Sequence, residues 1–117
     1  MKKRILSLVL ATLLIAAMAI PASAAQYTYG GSYESSTYEV VDRRTMDSYY
    51  SSTRCDSTQY LLYSVVELRT DTEGYLTYTS RQATTISEIS GGTLGLIIQM
   101  NCQHFVDGYM VHYSSVP

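Results

Sequence analysis

The protein has 117 residues, and the first 24 have the composition of an export signal, which leaves 117 − 24 = 93 residues for one small domain. Both lysines lie in that N-terminal segment, so the remainder has five arginines against ten acidic residues and a net charge of 5 − 10 = −5. This balance disfavours nucleic acids and anionic membrane surfaces as partners, and the lack of lysine excludes Schiff-base and P-loop chemistry in the mature chain.

The N-terminal segment has the three parts of a secretory signal peptide. Residues 2–4 are basic, residues 5–20 are almost entirely apolar, and Ala22-Ser23-Ala24 provides a small-residue cleavage site. The apolar stretch has no charged stop-transfer flank, which favours cleavage over anchoring. We therefore predict a signal peptide at residues 1–24, a single secreted, extracellular domain at residues 25–117 and no membrane span after cleavage.

Apolar and polar residues alternate with a period of two through most of the mature chain, and no window shows the helical spacing i, i+3, i+4, i+7. We therefore predict an all-β fold, a small antiparallel β-sandwich or alternatively a small barrel. The glycine pairs at 30–31 and 91–92 are predicted breaks, and the polar run 87–90 is a predicted loop. Seven strands are predicted, at residues 26–31, 37–43, 46–55, 59–70, 75–86, 93–104 and 109–114.

Two hairpins are predicted from their turn residues. Asp107-Gly108 lies between alternating apolar positions and accepts the positive φ angles of a two-residue type I′ turn. Gly74 ends the turn 71–74 between two long predicted strands and suits the left-handed position of a bulged turn. The strand at residues 59–70 has apolar side chains on both faces, which predicts a central strand or one whose outer face meets another surface.

The Asp107-Gly108 turn also predicts the register of the last hairpin. Pairing without a bulge sets His104 opposite Val111 and Gln103 opposite His112, so the only two histidines point to opposite faces. In that arrangement they are unable to share a metal ion. The predicted core face carries Ile98, Met100, Cys102, Val106, Val111 and Tyr113.

Cys55 and Cys102 are the only cysteines. Export places them in an oxidising compartment, where a lone pair usually closes into a disulfide. A disulfide that closes a loop of this length lowers the entropy of the unfolded chain and stabilises the fold by roughly 4 kcal/mol, which is comparable with the net stability of a small domain. The pair lacks the C-x-x-C spacing of a metal or redox motif, so we predict a structural disulfide between Cys55 and Cys102.

Tyrosine is the other compositional outlier, with 12 residues against one Phe and no Trp. Tyrosine with Ser and Gly is typical of binding surfaces, since the ring gives rigid contact area and the hydroxyl gives adaptable hydrogen bonds. The simpler interpretation is that these are strand residues with packed rings and solvated hydroxyls. For a binding role we single out Tyr27, Tyr29, Tyr49 and Tyr50, because aliphatic side chains are sparse in this half of the chain and more ring surface should stay exposed.

No segment carries a catalytic, nucleotide-binding or metal-binding motif, so we predict no enzyme activity, no catalytic residues, no cofactor and no metal site. Serines, histidines and aspartates are present for a Ser-His-Asp arrangement, but there is no G-x-S-x-G motif. Glu67 and Glu73 lie near one hairpin as a candidate glycosidase pair, but such pairs occur in almost any acidic domain.

Together these features predict a secreted, non-catalytic binding module that recognises an extracellular protein or glycan through a surface rich in Tyr, Ser and Thr. Two alternatives stay open. The segment Tyr27-x-Tyr29-Gly30-Gly31 and the small exported β architecture resemble secreted β-sandwich bacteriocins, which implies a secreted antimicrobial or toxin-like protein. Addition of edge strands between copies would instead make a self-assembling surface or matrix subunit.

Overall fold

A computed structural model describes residues 25–117, so the predicted signal peptide at residues 1–24 lies outside the described residues. Residues 25–117 form β-strands joined by turns and loops and contain no helix, which confirms the predicted all-β fold. The eight strands are β1 (Ala25–Tyr33), β2 (Ser36–Arg44), β3 (Ser48–Cys55), β4 (Leu62–Thr70), β5 (Gly74–Thr79), β6 (Ile86–Gly92), β7 (Ile97–Val106) and β8 (Tyr109–Val116).

The strands form two four-stranded antiparallel sheets, which we call sheet A and sheet B. Sheet A has the order β1-β2-β3-β6, and sheet B has the order β5-β4-β7-β8. The inward faces of the two sheets bury a shared core, so the fold is a sandwich and not the alternative closed barrel. β4 lies between β5 and β7, which confirms the prediction of a central strand for this segment.

The structure has one strand more than the seven predicted because β6 includes the polar run 87–90. The prediction of a loop there is wrong. β6 pairs with β3 and alternates outward Ile86 and Glu88 with inward, buried Ser87. The interior tolerates Ser87 because its hydroxyl lies 2.7 Å from the Ser80 hydroxyl and donates to the Arg81 carbonyl at 2.6 Å.

Gly30 and Gly31 lie inside β1, so the predicted break there is wrong, whereas β6 ends at Gly92, where a break is predicted. Gly31 of β1 is paired with Tyr38, and Gly91 of β6 is paired with Tyr49, and in each case the tyrosine ring lies over the glycine. A Cβ atom at Gly91 would lie 2.6 Å from the Tyr49 hydroxyl oxygen. Glycine at these positions therefore makes room for a cross-strand aromatic ring.

The interior contains two hydrophobic clusters with polar side chains between them. On β4, Leu62 belongs to one cluster and Val66 to the other, and the buried Ser64 lies between them. β7 repeats the pattern, with the buried His104 at the intermediate position. The core of the sandwich is therefore divided by a polar layer that the two sheets build together.

Cys55 and Cys102 are free thiols, so the predicted disulfide is wrong. Both residues are buried, but they belong to different clusters. The Cys102 thiol lies beside Ser51 of β3, and Cys55 is 55 − 51 = 4 residues further along that strand, which corresponds to about 13 Å. A disulfide tolerates a Cα separation of about 7 Å at most, so the two residues are too far apart to be bridged.

The two predicted hairpins are present. Asp107 and Gly108 have φ angles of 54° and 84°, as a type I′ turn requires. Gly74 has a φ of 75° at the start of β5, in the left-handed region predicted for it. Local turn chemistry therefore decides both connections.

The register of the β7–β8 hairpin differs from the predicted one because β8 has a bulge. Phe105 pairs with Met110 as predicted, but His104 pairs with His112, so Val111 has no cross-strand partner. The extra residue moves every later β8 side chain to the opposite face. The two histidine rings therefore lie on the same side of sheet B with centroids 6.4 Å apart, and the prediction that they point to opposite faces is wrong.

These irregularities also change the predicted core. Ser114 and Val116 take inward positions in β8, and Tyr113 is 51% exposed. A register shift where Thr70 pairs with Ile97 buries Ile97 and leaves Ile98 exposed. The predicted core positions Tyr113 and Ile98 are therefore wrong. The inward positions confirmed as buried are Met100, Cys102 and Val106.

Candidate functional site: a buried polar layer and an aromatic seam

Buried polar side chains join the two sheets at their centre. Asp42 of β2 faces His104 of β7, and the Asp42 Oδ2 atom lies 2.7 Å from His104 Nε2. Ser114 donates a hydrogen bond to the same oxygen at 2.5 Å, and Ser51 donates one to Oδ1 at 2.6 Å. The carboxylate therefore accepts hydrogen bonds from β3, β7 and β8, and both Asp42 and His104 are fully buried.

The other ring nitrogen of His104 contacts two hydroxyl groups. Nδ1 lies 2.8 Å from Thr53 Oγ1 and 3.2 Å from Ser64 Oγ, and these two hydroxyl oxygens lie 2.8 Å apart. Both ring nitrogens are thus paired, as a buried imidazole requires. We refer to the following residues together as the polar layer: Asp42, Ser51, Thr53, Ser64, His104 and Ser114.

The polar layer has the residue types of a Ser-His-Asp arrangement but lacks access to solvent. Burial alone would raise the pKa of Asp42, but the hydrogen bond and charge of His104, with the Ser114 and Ser51 hydroxyls, hold this pKa below its usual value. Burial, followed by the charge of Asp42, raises the pKa of the Cys102 thiol, so this sulfur is a poor nucleophile. The arrangement can therefore hold the two sheets together but offers no reactive group to a substrate.

A row of aromatic rings follows the open side of the sandwich, where the edge strand β1 of sheet A runs beside the edge strand β8 of sheet B. Half of the twelve tyrosines lie in this row, together with one histidine. We call it the aromatic seam, and its members are Tyr27, Tyr29, Tyr33, Tyr38, Tyr60, Tyr109 and His112.

His112 organises one end of the seam. Its ring stacks on Tyr29 with centroids 4.1 Å apart and planes inclined by 12°, and its Nε2 atom lies 2.8 Å from the Tyr27 hydroxyl. Burial, and then the charge of the nearby His104, lowers the pKa of His112 below its usual value. The lowered pKa favours the neutral imidazole, which shares one hydrogen bond with the Tyr27 hydroxyl.

Tyr33 and Tyr60 form the other end of the seam. Their rings meet edge to face with centroids 5.1 Å apart, and the Tyr60 hydroxyl donates to Glu34 Oε2 at 2.9 Å. The Tyr109 ring lies 6.3 Å from that of Tyr33 and is 67% exposed. Tyr38 lies between the two ends, since it packs in one hydrophobic cluster with Tyr60 and Tyr33 and its ring centroid is 6.3 Å from that of Tyr29. Its hydroxyl donates to the Val111 carbonyl of β8 at 3.0 Å.

The structure separates the four tyrosines that the sequence singles out for binding. Tyr27 and Tyr29 lie together in the seam, Tyr27 half-buried and Tyr29 41% exposed. Tyr49 is buried and its ring stacks on Tyr78 with centroids 5.1 Å apart, so the expectation of an exposed ring is wrong there. Only the first two therefore share a surface.

Tyr50 lies on the outer face of sheet A, because successive strand residues point to opposite faces and Tyr49 points inward. Its hydroxyl donates to Glu88 at 2.8 Å, and the Arg43 guanidinium lies 4.3 Å from the ring centroid. The Tyr50 hydroxyl and one side of its ring are therefore already in contact with neighbouring residues on the outer surface of sheet A.

The sequence indicates part of the seam but not all of it. Tyr27, Tyr29 and Tyr33 share the period-two spacing of one strand face, which is a readable signal. Tyr60 and Tyr109 lie in other parts of the chain, and no local pattern places them beside β1. The polar layer also could not be predicted from the sequence, because its six residues come from five different strands.

A second exposed feature lies at the end of the sandwich that carries the β4–β5 turn. We call it the apolar tip; it consists of Leu94, Leu96 and Met46, which are 94%, 50% and 51% exposed. The Leu94 N–H donates to the Glu73 carboxylate at 2.9 Å, and the Leu96 N–H donates to Asp71 at 2.8 Å. The loop therefore presents its two leucines on a fixed backbone.

A shallow groove of about 680 Å³ lies on the outer side of sheet A towards the opposite end. Its charged lining residues, Glu39, Arg54 and Asp56, have opposite signs, and Asp56 already accepts hydrogen bonds from the Thr37 N–H and hydroxyl at 3.0 Å. Within residues 25–117, no group of three or more His, Cys, Asp and Glu side chains is placed to hold a metal ion.

These features define a small two-sheet β-sandwich with a buried polar layer, an apolar tip and an aromatic seam in which Tyr29 and Tyr109 are exposed and Tyr38 and Tyr60 are buried. Comparisons with protein-family models, curated proteins and solved structures give no significant match. Over the part of the chain that the structure describes, no helix is long and apolar enough to cross a membrane.

Proposed function

We propose that the protein is a secreted, non-catalytic binding module that recognises an extracellular protein or glycan through the aromatic seam. The main support is the concentration of six tyrosines in one row, of which Tyr29 and Tyr109 are 41% and 67% exposed. Tyrosine rings supply large contact areas at a low cost in conformational entropy, and their hydroxyls add directional hydrogen bonds.

The distribution of reactive groups supports a role without catalysis. Asp42 and His104 have the geometry of an acid–base couple, but they are fully buried and bonded to each other. His112 is nearer to the surface, but Tyr29 covers one face of its ring and the Tyr27 hydroxyl engages its Nε2 atom. Ionisable side chains in this region thus serve internal hydrogen bonds, and the tyrosine rings are what a partner meets.

The proposal is tested by screening the exported protein against glycan arrays and intact cells, and then measuring affinity for the ligand found. Tyr29→Ala and Tyr109→Ala should each weaken binding at least about fivefold, as expected for aromatic contact residues in an interface. Tyr75→Ala is the matched control, because Tyr75 is 81% exposed but lies on sheet B outside the seam. Equal losses in all three variants, or none in the seam variants, would contradict the assignment.

A second candidate is a secreted antimicrobial protein that enters a membrane surface through the apolar tip, by apolar contact, since the net charge of 5 − 10 = −5 disfavours attraction to anionic lipids. Leu94 is 94% exposed on a loop whose N–H groups at Leu94 and Leu96 are already bonded to carboxylates. A loop that enters a lipid interface needs internal partners for its backbone groups. Leu94→Asp should then abolish growth inhibition and dye release from vesicles, whereas Leu61→Asp, at a half-exposed leucine of the opposite end, should not.

A further inference from the structure

Within residues 25–117, the free edge of β1 has none of the charges, prolines, bulges or shortened strands that usually protect edge strands from pairing with another chain. β1 has nine residues, with the sequence AQYTYGGSY, and contains no charged side chain and no proline. All nine pair with β2 in one continuous register without a bulge. Proteins usually protect such edges with charges, prolines, bulges or short strands, because the unpaired backbone groups template a new strand.

The other three edges of the sandwich each differ from β1 in a way that hinders pairing. β8 has the bulge at Val111 and is followed by Pro117. β6 carries Glu88 near its centre. β5 is uncharged but has only six residues, and it begins at the left-handed Gly74. β1 is thus the longest regular edge and the one with the least protection.

We propose that two copies of this chain associate through antiparallel pairing of their β1 strands, which joins the two A sheets into one continuous eight-stranded sheet. A two-fold axis relates the copies, as in most homodimers, and the same segment contributes to both sides of the contact. The pairing satisfies the backbone N–H and C=O groups that face away from β2.

Charge favours this edge for self-association. The mature chain carries a net charge of 5 − 10 = −5, so most surfaces of two copies repel each other, whereas β1 brings no charged side chain to the contact. Antiparallel pairing also places the Ala25 end of one strand beside the Glu34 end of the other. Cleavage after Ala24 would leave an α-ammonium group at Ala25, opposite in sign to that glutamate.

The inward side chains of β1 support the same arrangement. Tyr27, Tyr29 and Tyr33 form an aromatic row directly under the free edge, and the Tyr29 ring is 41% exposed in the single copy. Pairing of two β1 strands sets the rows of both copies side by side, so their exposed ring surface is partly covered and the two seams become one wider surface.

Self-association is measured without any ligand, by sedimentation of the exported protein from about 10 µM to about 1 mM. The wild-type protein should show a concentration-dependent dimer. Thr28→Lys combined with Ser32→Lys, at two exposed outer positions of β1, should weaken dimerisation about tenfold or more, because antiparallel pairing brings the added charges of the two copies together. The matched control is Thr77→Lys with Thr79→Lys on the β5 edge, which should leave the dimer unchanged.

Hydrogen exchange provides a second readout that does not depend on substitutions. Amides of β1 should become more protected as the wild-type concentration rises, while those of β5 should not change. A protein that stays monomeric over the whole range, a dimer that the β1 substitutions do not weaken, or a dimer that the β5 control weakens equally, would overturn the proposal. A monomeric result would leave ligand binding through the seam to be decided by the Tyr29 and Tyr75 variants.

Discussion

Replacing Asp42 by alanine should remove the acceptor at the centre of the polar layer and destabilise the fold severely. The substitution leaves three buried donors, on His104, Ser51 and Ser114, without their carboxylate. Each unsatisfied buried donor costs about 1–3 kcal/mol, so three donors cost about 3–9 kcal/mol if none finds a new partner. Since hydroxyls can rotate toward new partners, we expect a loss of about 4 kcal/mol.

This loss is large relative to the total. At about 0.05–0.15 kcal/mol per residue, the 117 − 24 = 93 residues that the structure describes have a free energy of unfolding of about 5–14 kcal/mol. The variant should therefore have a Tm lower by about 15 °C or more, or fail to fold. Urea unfolding followed by tyrosine fluorescence and circular dichroism measures the difference, since the chain has no tryptophan.

Two control variants separate the polar layer from general effects. Asp42→Asn keeps the shape and one acceptor, and neighbouring hydroxyls can accept from its amide, so about half of the loss should be recovered. Glu39→Ala on the exposed face of the same strand should cost less than about 0.5 kcal/mol. If Asp42→Ala costs less than about 1 kcal/mol, the hydrogen bonds of the polar layer do not stabilise the sandwich and the reasoning is refuted.

Three further predictions concern pH, a glycine and the thiols. The pKa values of His112 and Asp42 are lowered in the folded state, so the unfolded chain takes up each proton at a higher pH than the folded protein does. The free energy of unfolding should therefore fall as the pH drops below 6.5, where His112 titrates in the unfolded chain, and again below 3.8, where Asp42 does. Urea titrations at a series of pH values measure this dependence. Gly31→Ala places a Cβ atom within the Tyr38 ring and should cost about 1–3 kcal/mol, whereas Gly30→Ala, whose nearest atom is 3.8 Å away, should cost less; equal losses would contradict this reading. Without reductant, the native protein should show no titratable thiol and the unfolded protein should show two per chain, because both free cysteines are buried. The absence of thiols after unfolding would show a disulfide.

Much of the candidate site depends on a single bulged residue. The sequence predicts the Asp107-Gly108 turn and the pairs nearest to it, and the structure confirms both. Val111 has no partner in β7, and this extra residue turns His112 inward, where it faces Tyr27 and Tyr29. A bulge costs little locally and is decided by what the later β8 side chains meet, so the turn sequence carries no signal for it.

The disulfide prediction fails because it depends on a distance that local sequence patterns do not contain. Two cysteines in a short chain with a predicted export signal predict a bridge from composition alone, and composition contains no distances. The structure places Cys55 and Cys102 in different clusters on either side of the polar layer. Residues 25–55 also contain too few aliphatic residues for a conventional core, and the structure fills that part of the interior partly with Tyr38 and Tyr49.

Sequence patterns were enough to predict the all-β class and the turns at Gly74 and Asp107-Gly108, because side-chain alternation and backbone preference act over a few neighbouring residues. For β4 they left two alternatives, a central strand or an outer face that meets another surface, and the sheet order shows the first. Three further features became visible only in the packed sandwich: β6 is a strand, the two histidines lie on the same side of sheet B, and Asp42 meets His104 across the sheets. Those outcomes depend on which buried polar groups find partners from distant strands, and that condition is met only when both sheets are packed together.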